Sequence, residues 1–564
     1  MKIYNKILTS ICLLSALAIA SCTKYDNPPP VFEELKDMTK AQRKVLLISI
    51  DGLSGPMLEK IAPPQISALK KNSKYAYNTI RTETPAAGWA SILTGTALAK
   101  HQIVNNDFER DQNDDNHEHG DVTSYRNVLD YVTQYKTVKT AMVSPWDELR
   151  NYVKVADYAP IVNTDQAVKD STIALIKNNK SLGTIYVNLR DVVKAGDQGG
   201  YSEENSSFKA AVLKSDEYVG EIINAMKARE SYASEEWLVI LTTNMGKQNT
   251  DIDDGFIMLY NPLFKEFKLE KSGFNPVQFD NKTGRATLHD PDNRYDAGET
   301  KSFTVQMDVK FNNPVPNGYS SFFSKSTNLG GQNITGWQWN FYPSNGQWAV
   351  TVGGSNNGGS GKQQINSPNN PGTGVWRNLI MTVEYVNAST RNLSLYMDGV
   401  HQATANISSR KSLSSLEDLR VGHRPGDNDV PTNFSAANLT YYNTALSATT
   451  IKDNFGLKDI SKHPNFANII GYWPMDEGTG SQFFTGIPGA PNLSLSGKYS
   501  WINLGENYPS GTVNLPVTSN ISIPTTVNDI APLTLYWMRI DVLSDFGMDG
   551  NSYLNNFELE FLND

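Results

Sequence analysis

Three apolar runs in the first half of the chain end in polar side chains that could gather an ion. Val45-Leu46-Leu47-Ile48-Ser49-Ile50 runs into Asp51-Gly52, and Ile185-Tyr186-Val187-Asn188-Leu189 precedes Asp191 and Asp197. Trp237-Leu238-Val239-Ile240-Leu241 runs into Thr242-Thr243-Asn244-Met245. Such runs read as strands of a parallel sheet buried on both faces, and open α/β sheets bind ligands at the carboxyl ends of their strands. Oxygens from Asp51, Asp191, Asp197 and Asn244 could serve magnesium or calcium. Zinc sites of this kind also draw on neutral imidazole. No histidine lies between His119 and His289, and the methionine thioether is a soft ligand suited to copper. His117-Glu118-His119, inside the acidic stretch Asp111 to Asp121, lacks the spacing of a strong metal motif and reads as a solvated loop.

Two further segments complete a pattern with Asp51: Thr82-Glu83-Thr84-Pro85-Ala86-Ala87-Gly88-Trp89-Ala90-Ser91-Ile92-Leu93-Thr94-Gly95, and His101-Gln102-Ile103-Val104-Asn105-Asn106. The pattern resembles the alkaline phosphatase and nucleotide pyrophosphatase/phosphodiesterase superfamily. The resemblance implies that Asp51 matches a zinc-binding aspartate, Thr84 the nucleophile that attacks phosphorus, and Asn106 a holder of a phosphoryl oxygen. Counting back from Thr94-Gly95 puts Pro85 at the nucleophile position, so Thr84 matches with one residue inserted. The family's Asp-x-Ala-Gly-His has become Val193-Lys194-Ala195-Gly196-Asp197, and its Thr-Ser-Asp-His-Gly has become Thr242-Thr243-Asn244-Met245-Gly246. Valine offers a metal nothing, and asparagine offers only a neutral carbonyl. A paired-metal centre stabilises attacking and leaving oxygens together, and without it Thr84 is an ordinary alcohol. The resemblance therefore implies a lost two-zinc site: no metal or cofactor is expected, and Asp51, Thr84, Asn106, Asp197, Asn244 and Met245 are vestigial.

The elements that must position these residues follow from periodicity. Phe208, Val212, Val219, Ile222, Ile223 and Met226 recur at helical spacing behind the middle strand. From about residue 270 the pattern becomes one of half-buried antiparallel strands, as in Phe303, Val305, Met307, Val309 and Phe311, and in Leu393 to Met397 before an Asp398-Gly399 hairpin turn. The order of Ser321-Phe322-Phe323-Ser324-Lys325, Trp376-Arg377-Asn378-Leu379, Leu395-Tyr396-Met397-Asp398-Gly399 and Leu419-Arg420-Val421-Gly422 resembles a laminin-G/concanavalin-like jelly roll. Asp529 to Met538, with Met548-Asp549-Gly550, resembles the terminal helix and loop of the phosphatase-like superfamily. The expected fold is thus an α/β phosphatase-like domain, a mostly parallel sheet between helices, with an inserted all-β jelly-roll sandwich. The expected boundaries are 42–270 and 506–564 for the first domain and 271–505 for the insertion. His289 and His463, near where a last zinc histidine would fall, sit in no matching motif and read as surface histidines.

Lys2 and Lys6 precede the apolar stretch from Ile7 to Ala20, and Ile19-Ala20-Ser21-Cys22 resembles a lipoprotein cleavage site. Residues 1–21 read as a signal peptide, Cys22 as the lipidated first residue and 22–41, with Pro28-Pro29-Pro30, as a tether. Thr23, by resemblance to bacterial lipoproteins, points to the outer membrane and the cell surface. Cys12 leaves with the leader, so no internal disulfide is expected. No later segment is long and apolar enough to span a bilayer. The net charge of −9, more negative still without Lys2 and Lys6, argues against nucleic acid as a partner.

Trp337, Trp339 and Trp348 either line a sugar platform on the sandwich or fill its core. The Gly/Asn/Ser-rich stretch from Gly353 to Gly374 suits the rim of a binding site. The combined expectation is a non-catalytic, surface-anchored lipoprotein that captures an extracellular glycan or other oligomer. By analogy it assists a TonB-dependent nutrient transporter. Two alternatives stay open, an active metal-dependent phosphoesterase with a rearranged site and a structural subunit of an outer-membrane transporter complex.

Overall fold

The computed structural model describes residues 42–562, apart from 83, 111–124, 245–254, 281, 291, 314–319, 328–333, 343–345, 355–360, 425–430, 458, 503–508 and 510–521. Cys22, His117, His119 and Met245 lie outside the described residues, as does part of the glycine-rich stretch after Gly353.

The first domain is built on seven strands: β1 (Gln42–Ile50), β2 (Ser73–Thr79), β3 (Lys139–Val143), β4 (Leu182–Leu189), β5 (Glu235–Thr242), β6 (Gly255–Tyr260) and β7 (Phe267–Lys268). They lie in the order β3-β4-β1-β5-β6-β2-β7. β1 is parallel to both neighbours, β4 and β5, whereas β6 runs antiparallel to β5 and β2. The three apolar runs are therefore adjacent central strands, and their polar ends emerge side by side.

Alternation along β1 shows why the run must be apolar throughout. Leu46, Ile48 and Ile50 join one buried cluster, while Val45 and Leu47 join the other. A helix covers each face. Phe208, Val212, Val219 and Ile222 of the helix Ser206–Lys227 pack with the first set. Trp89, Ile92 and Leu93 of the helix α1 (Pro85–Thr94) pack with the second. The latter face also receives Ile530, Leu533 and Leu535 from the helix Ile530–Trp537, whose Thr534 hydroxyl lies 2.8 Å from Tyr186 Oη on β4. The chain thus returns to the first sheet after the whole sandwich has been traversed.

Between them lie two eight-stranded sheets, in which strands from Val277–Phe279 to Tyr499–Trp501 pair antiparallel. Their inner faces share one core that contains Trp337, Trp339, Phe341, Trp348 and Trp473. The mixed α/β sheet with helices and the antiparallel sandwich are the two fold classes read from the sequence. No described helix is long and apolar enough to cross a membrane.

Two sealed carboxyls make stability depend on pH. Asp308 accepts bonds of 2.7 Å from the amides of Asn378 and Asn438, and Asp529 accepts from the backbone N–H groups of Thr526 and Asn551. Burial pushes both up to about 7 despite these donors. A carboxyl whose folded pKa is raised gives stability that is intact below its unfolded pKa and is lost as pH rises through the folded value. The thermal midpoint is therefore expected to fall between about pH 4 and about pH 8, and Asp308→Asn to flatten part of that fall. Calorimetric scans of both proteins across that range check it.

Candidate functional site

Asp51 stands at the end of β1, fully buried, on the face that α1 covers. Its backbone N–H is held by Leu189 O at 2.9 Å, which fixes the strand end against β4. Ser49 Oγ donates to Oδ1 at 2.7 Å, and Trp89 Nε1 reaches Oδ2 at 3.5 Å. The one cation beside it among the described residues is Arg190, whose Nε lies 3.9 Å from Oδ2. Arg190 follows the last residue of β4 and lays its guanidinium over the Trp146 ring, 4.4 Å from the centroid. Burial raises the Asp51 carboxyl above the ordinary range, and Arg190, with Ser49 and Trp89, pulls it back. At an effective dielectric near 20, charges at this distance attract by roughly 4 kcal/mol, comparable to the desolvation each group suffers.

Arg190 is itself anchored from behind. Asp165, buried and pushed up to about 6 by that burial, accepts from the backbone N–H groups of both Arg190 and Asp191 at 2.8–2.9 Å. These bonds pin the start of α2 (Asp191–Gly199). Sequence reasoning passed over Arg190 although one signal was present: a cation placed directly at the carboxyl end of an apolar strand, where such sheets bind ligands.

Thr84 is the N-cap of α1. Its hydroxyl accepts from Ala87 N at 3.3 Å, and Pro85 occupies the first helical position, where a missing N–H costs nothing. Asn244, at the end of β5, donates its amide to Pro85 O at 3.0 Å. Gly88 makes that approach possible, since a Cβ there would stand 2.5 Å from the Asn244 carbonyl. Gly88→Ala is expected to force β5 and α1 apart and to cost about 1–3 kcal/mol in urea unfolding.

Val193 lies against the Asp51-Gly52 turn so closely that a Cβ on Gly52 would come within 2.6 Å of its Cα. An aliphatic residue therefore occupies the flank of the strand end. Asp197, farther along α2, is exposed and accepts from Tyr201 Oη at 2.6 Å. Asn106 is likewise exposed. The structure places Val193 against the end of β1 that carries Asp51, and Asn244 against the start of α1 that Thr84 caps, and leaves Asp197 and Asn106 on the surface.

Other expectations change. Trp337, Trp339 and Trp348 are 0–1% exposed, so none presents a ring to a ligand, and the sugar-platform alternative is replaced by core packing. His463 is buried beside Tyr442 rather than at the surface, whereas His289 is exposed and paired with Asp418. His101 is buried between Ser91 Oγ and Ile103 N, 3.0 Å from each, and burial pulls its pKa down to about 4. Its imidazole is neutral and is held by the Ser91 hydroxyl and the Ile103 backbone.

Residues 45–303 match the family model described as type I phosphodiesterase / nucleotide pyrophosphatase. The first domain is phosphodiesterase-like. Residues 280–452 match the concanavalin A-like lectin/glucanases superfamily, so the sandwich is concanavalin-like. Among solved structures, murine ectonucleotide pyrophosphatase / phosphodiesterase 5 is 14% identical, with a TM-score of 0.29 over 36% of this chain and 57% of its own. A Bacteroides ovatus protein described as carbohydrate-binding is 11% identical, with a TM-score of 0.29 over 48% of this chain and 69% of its own. A heptameric pentraxin of Limulus polyphemus is 12% identical, with a TM-score of 0.21 over 33% and 78% respectively. No curated protein matches the chain.

The described residues of the phosphodiesterase-like domain at the ends of β1, β4 and β5 do not present a donor set that fits a zinc pair. Asp51 is sealed and faces a guanidinium, Val193 is aliphatic, and Asn244 has only a neutral carbonyl oxygen to offer. Among the described residues no three His, Cys, Asp or Glu side chains cluster as metal ligands do. What the arrangement can do is hold the α1 terminus, the β1 end and the β4 end rigidly together.

Proposed function

We propose that this chain is a non-catalytic lipoprotein of the outer membrane, anchored through lipid on Cys22 at the cell surface. Its phosphodiesterase-like domain serves as a scaffold, and the concanavalin-like sandwich is carried as a guest within it. The pair captures an extracellular glycan or other oligomer as an accessory to nutrient uptake through a TonB-dependent transporter. The observation that supports loss of catalysis is the Asp51–Arg190 pair: a protein side chain supplies the positive charge at a position where the resemblance calls for zinc. A permanently charged guanidinium there repels a divalent ion and needs no cofactor to offset the buried carboxylate.

Assay of the purified protein with chromogenic phosphodiesters tests this directly. The expected result is hydrolysis no faster in the wild type than in Thr84→Ala. Turnover that disappears in Thr84→Ala would instead establish the rearranged phosphoesterase. Co-purification of a transporter with no measurable affinity for any glycan would favour the purely structural subunit.

A further inference from the structure

A cavity of about 640 Å³ lies where the sandwich meets the returning C-terminal segment of the first domain. This is within the roughly 300–1,000 Å³ of small-molecule sites. Its walls come from three parts of the chain. The sandwich supplies Thr479, Tyr499 and Trp501, the C-terminal segment supplies Asn551, Asn555 and Asn556, and Lys100 reaches in from the segment after α1. A narrower pocket shares Thr479 and Gly480 with it and extends past Ser481 to Thr82, two residues before the α1 cap.

The chemistry of the lining selects a ligand class. Lys100 is paired with Asp549 on the same wall, so the strongest cation there is already neutralised. Tyr499 Oη and Trp501 Nε1 both donate to Gly480 O at 3.0 Å, and with their polar ends committed the rings have carbon surface to offer. Asn551 and Asn555 are exposed amides, each able to donate and accept. Thr479 and Ser481 are 3% and 4% exposed, and their hydroxyls have no hydrogen-bond partner. A buried hydroxyl without a partner is costly, which favours an occupant that brings its own hydroxyls. Amides, unpartnered hydroxyls and aromatic carbon faces together suit a polyol with alternating C–H and O–H surface.

We infer that this interdomain cleft is the glycan site, and that its ligand is a short neutral oligosaccharide gripped by Tyr499, Trp501, Asn551, Asn555 and Thr479. The inference rests on the glycan-capture reading above and moves the binding surface from the sandwich face to the seam between the domains.

The test is a microarray of short neutral gluco-, manno- and galacto-oligosaccharides, followed by calorimetric titration with the strongest binder. The full-length protein is compared with Trp501→Ala and with the double variant Asn551→Ala/Asn555→Ala. At least about tenfold weaker binding in both, with thermal midpoints unchanged, is the expected result. If Trp501→Ala fails to fold, the asparagine variant, which alters only exposed side chains, decides alone. Wild-type affinity retained in the asparagine variant would overturn the cleft assignment and leave glycan capture standing. Absence of wild-type binding to every neutral oligosaccharide would overturn the neutral-oligosaccharide assignment of the cleft, while the capture reading would fail only if charged glycans were not bound either.

Discussion

Arg190→Met is expected to unfold at markedly lower urea concentration than the wild type, with a loss of about 3 kcal/mol. Methionine preserves much of the length that packs on Trp146 while removing the charge that faces Asp51. With Arg190 gone, Asp51 is a fully buried carboxyl whose remaining partners are Ser49, Asn188 and Trp89, none of them ionic. Breaking a buried pair costs more than the pair contributes, because the orphaned charge keeps its desolvation penalty. Adding Asp51→Asn to Arg190→Met therefore restores most of the loss, and Asp51→Asn alone costs far less than Arg190→Met. A double-mutant cycle in urea measures the coupling. An Arg190→Met protein as stable as the wild type would mean that another cation holds Asp51.

Trp339→Ala is expected to cost about 3–5 kcal/mol, the range for truncating a fully buried tryptophan. Trp339 meets Phe322, Phe323 and Trp348 at ring-centroid separations of 5.1–6.2 Å inside the sandwich. A platform tryptophan would have behaved in the opposite way, with binding lost and stability kept. Chemical unfolding monitored by intrinsic fluorescence separates the two outcomes, since a platform role would leave the transition midpoint within experimental error.

The contrast between these residues shows what local pattern conveys. The run Val45–Ile50 was readable as a doubly covered strand because every position is apolar or small, and both faces of β1 do lie under helices. The sandwich was readable from period-two alternation. On the strand Gly336–Tyr342 that period was misleading about exposure, because Gln338 and Asn340, which alternate with the aromatics, are also fully buried. A pattern of types cannot report what lies above the second face. Arg190 was hidden for a different reason: its partner, Asp51, is distant in sequence and is brought near only by the parallel pairing of β1 with β4. The cleft was hidden because Thr479, Trp501 and Asn551 are ordinary loop and edge residues until the chain returns to the first domain.

Zinc content determined by mass spectrometry, on protein equilibrated with excess zinc and then dialysed, is the most direct probe of the end of β1. With Arg190 as the counter-ion of Asp51, the metal retained is well below one ion per chain and is the same in Asp51→Asn. Two zinc ions per chain, reduced in Asp51→Asn, would contradict it.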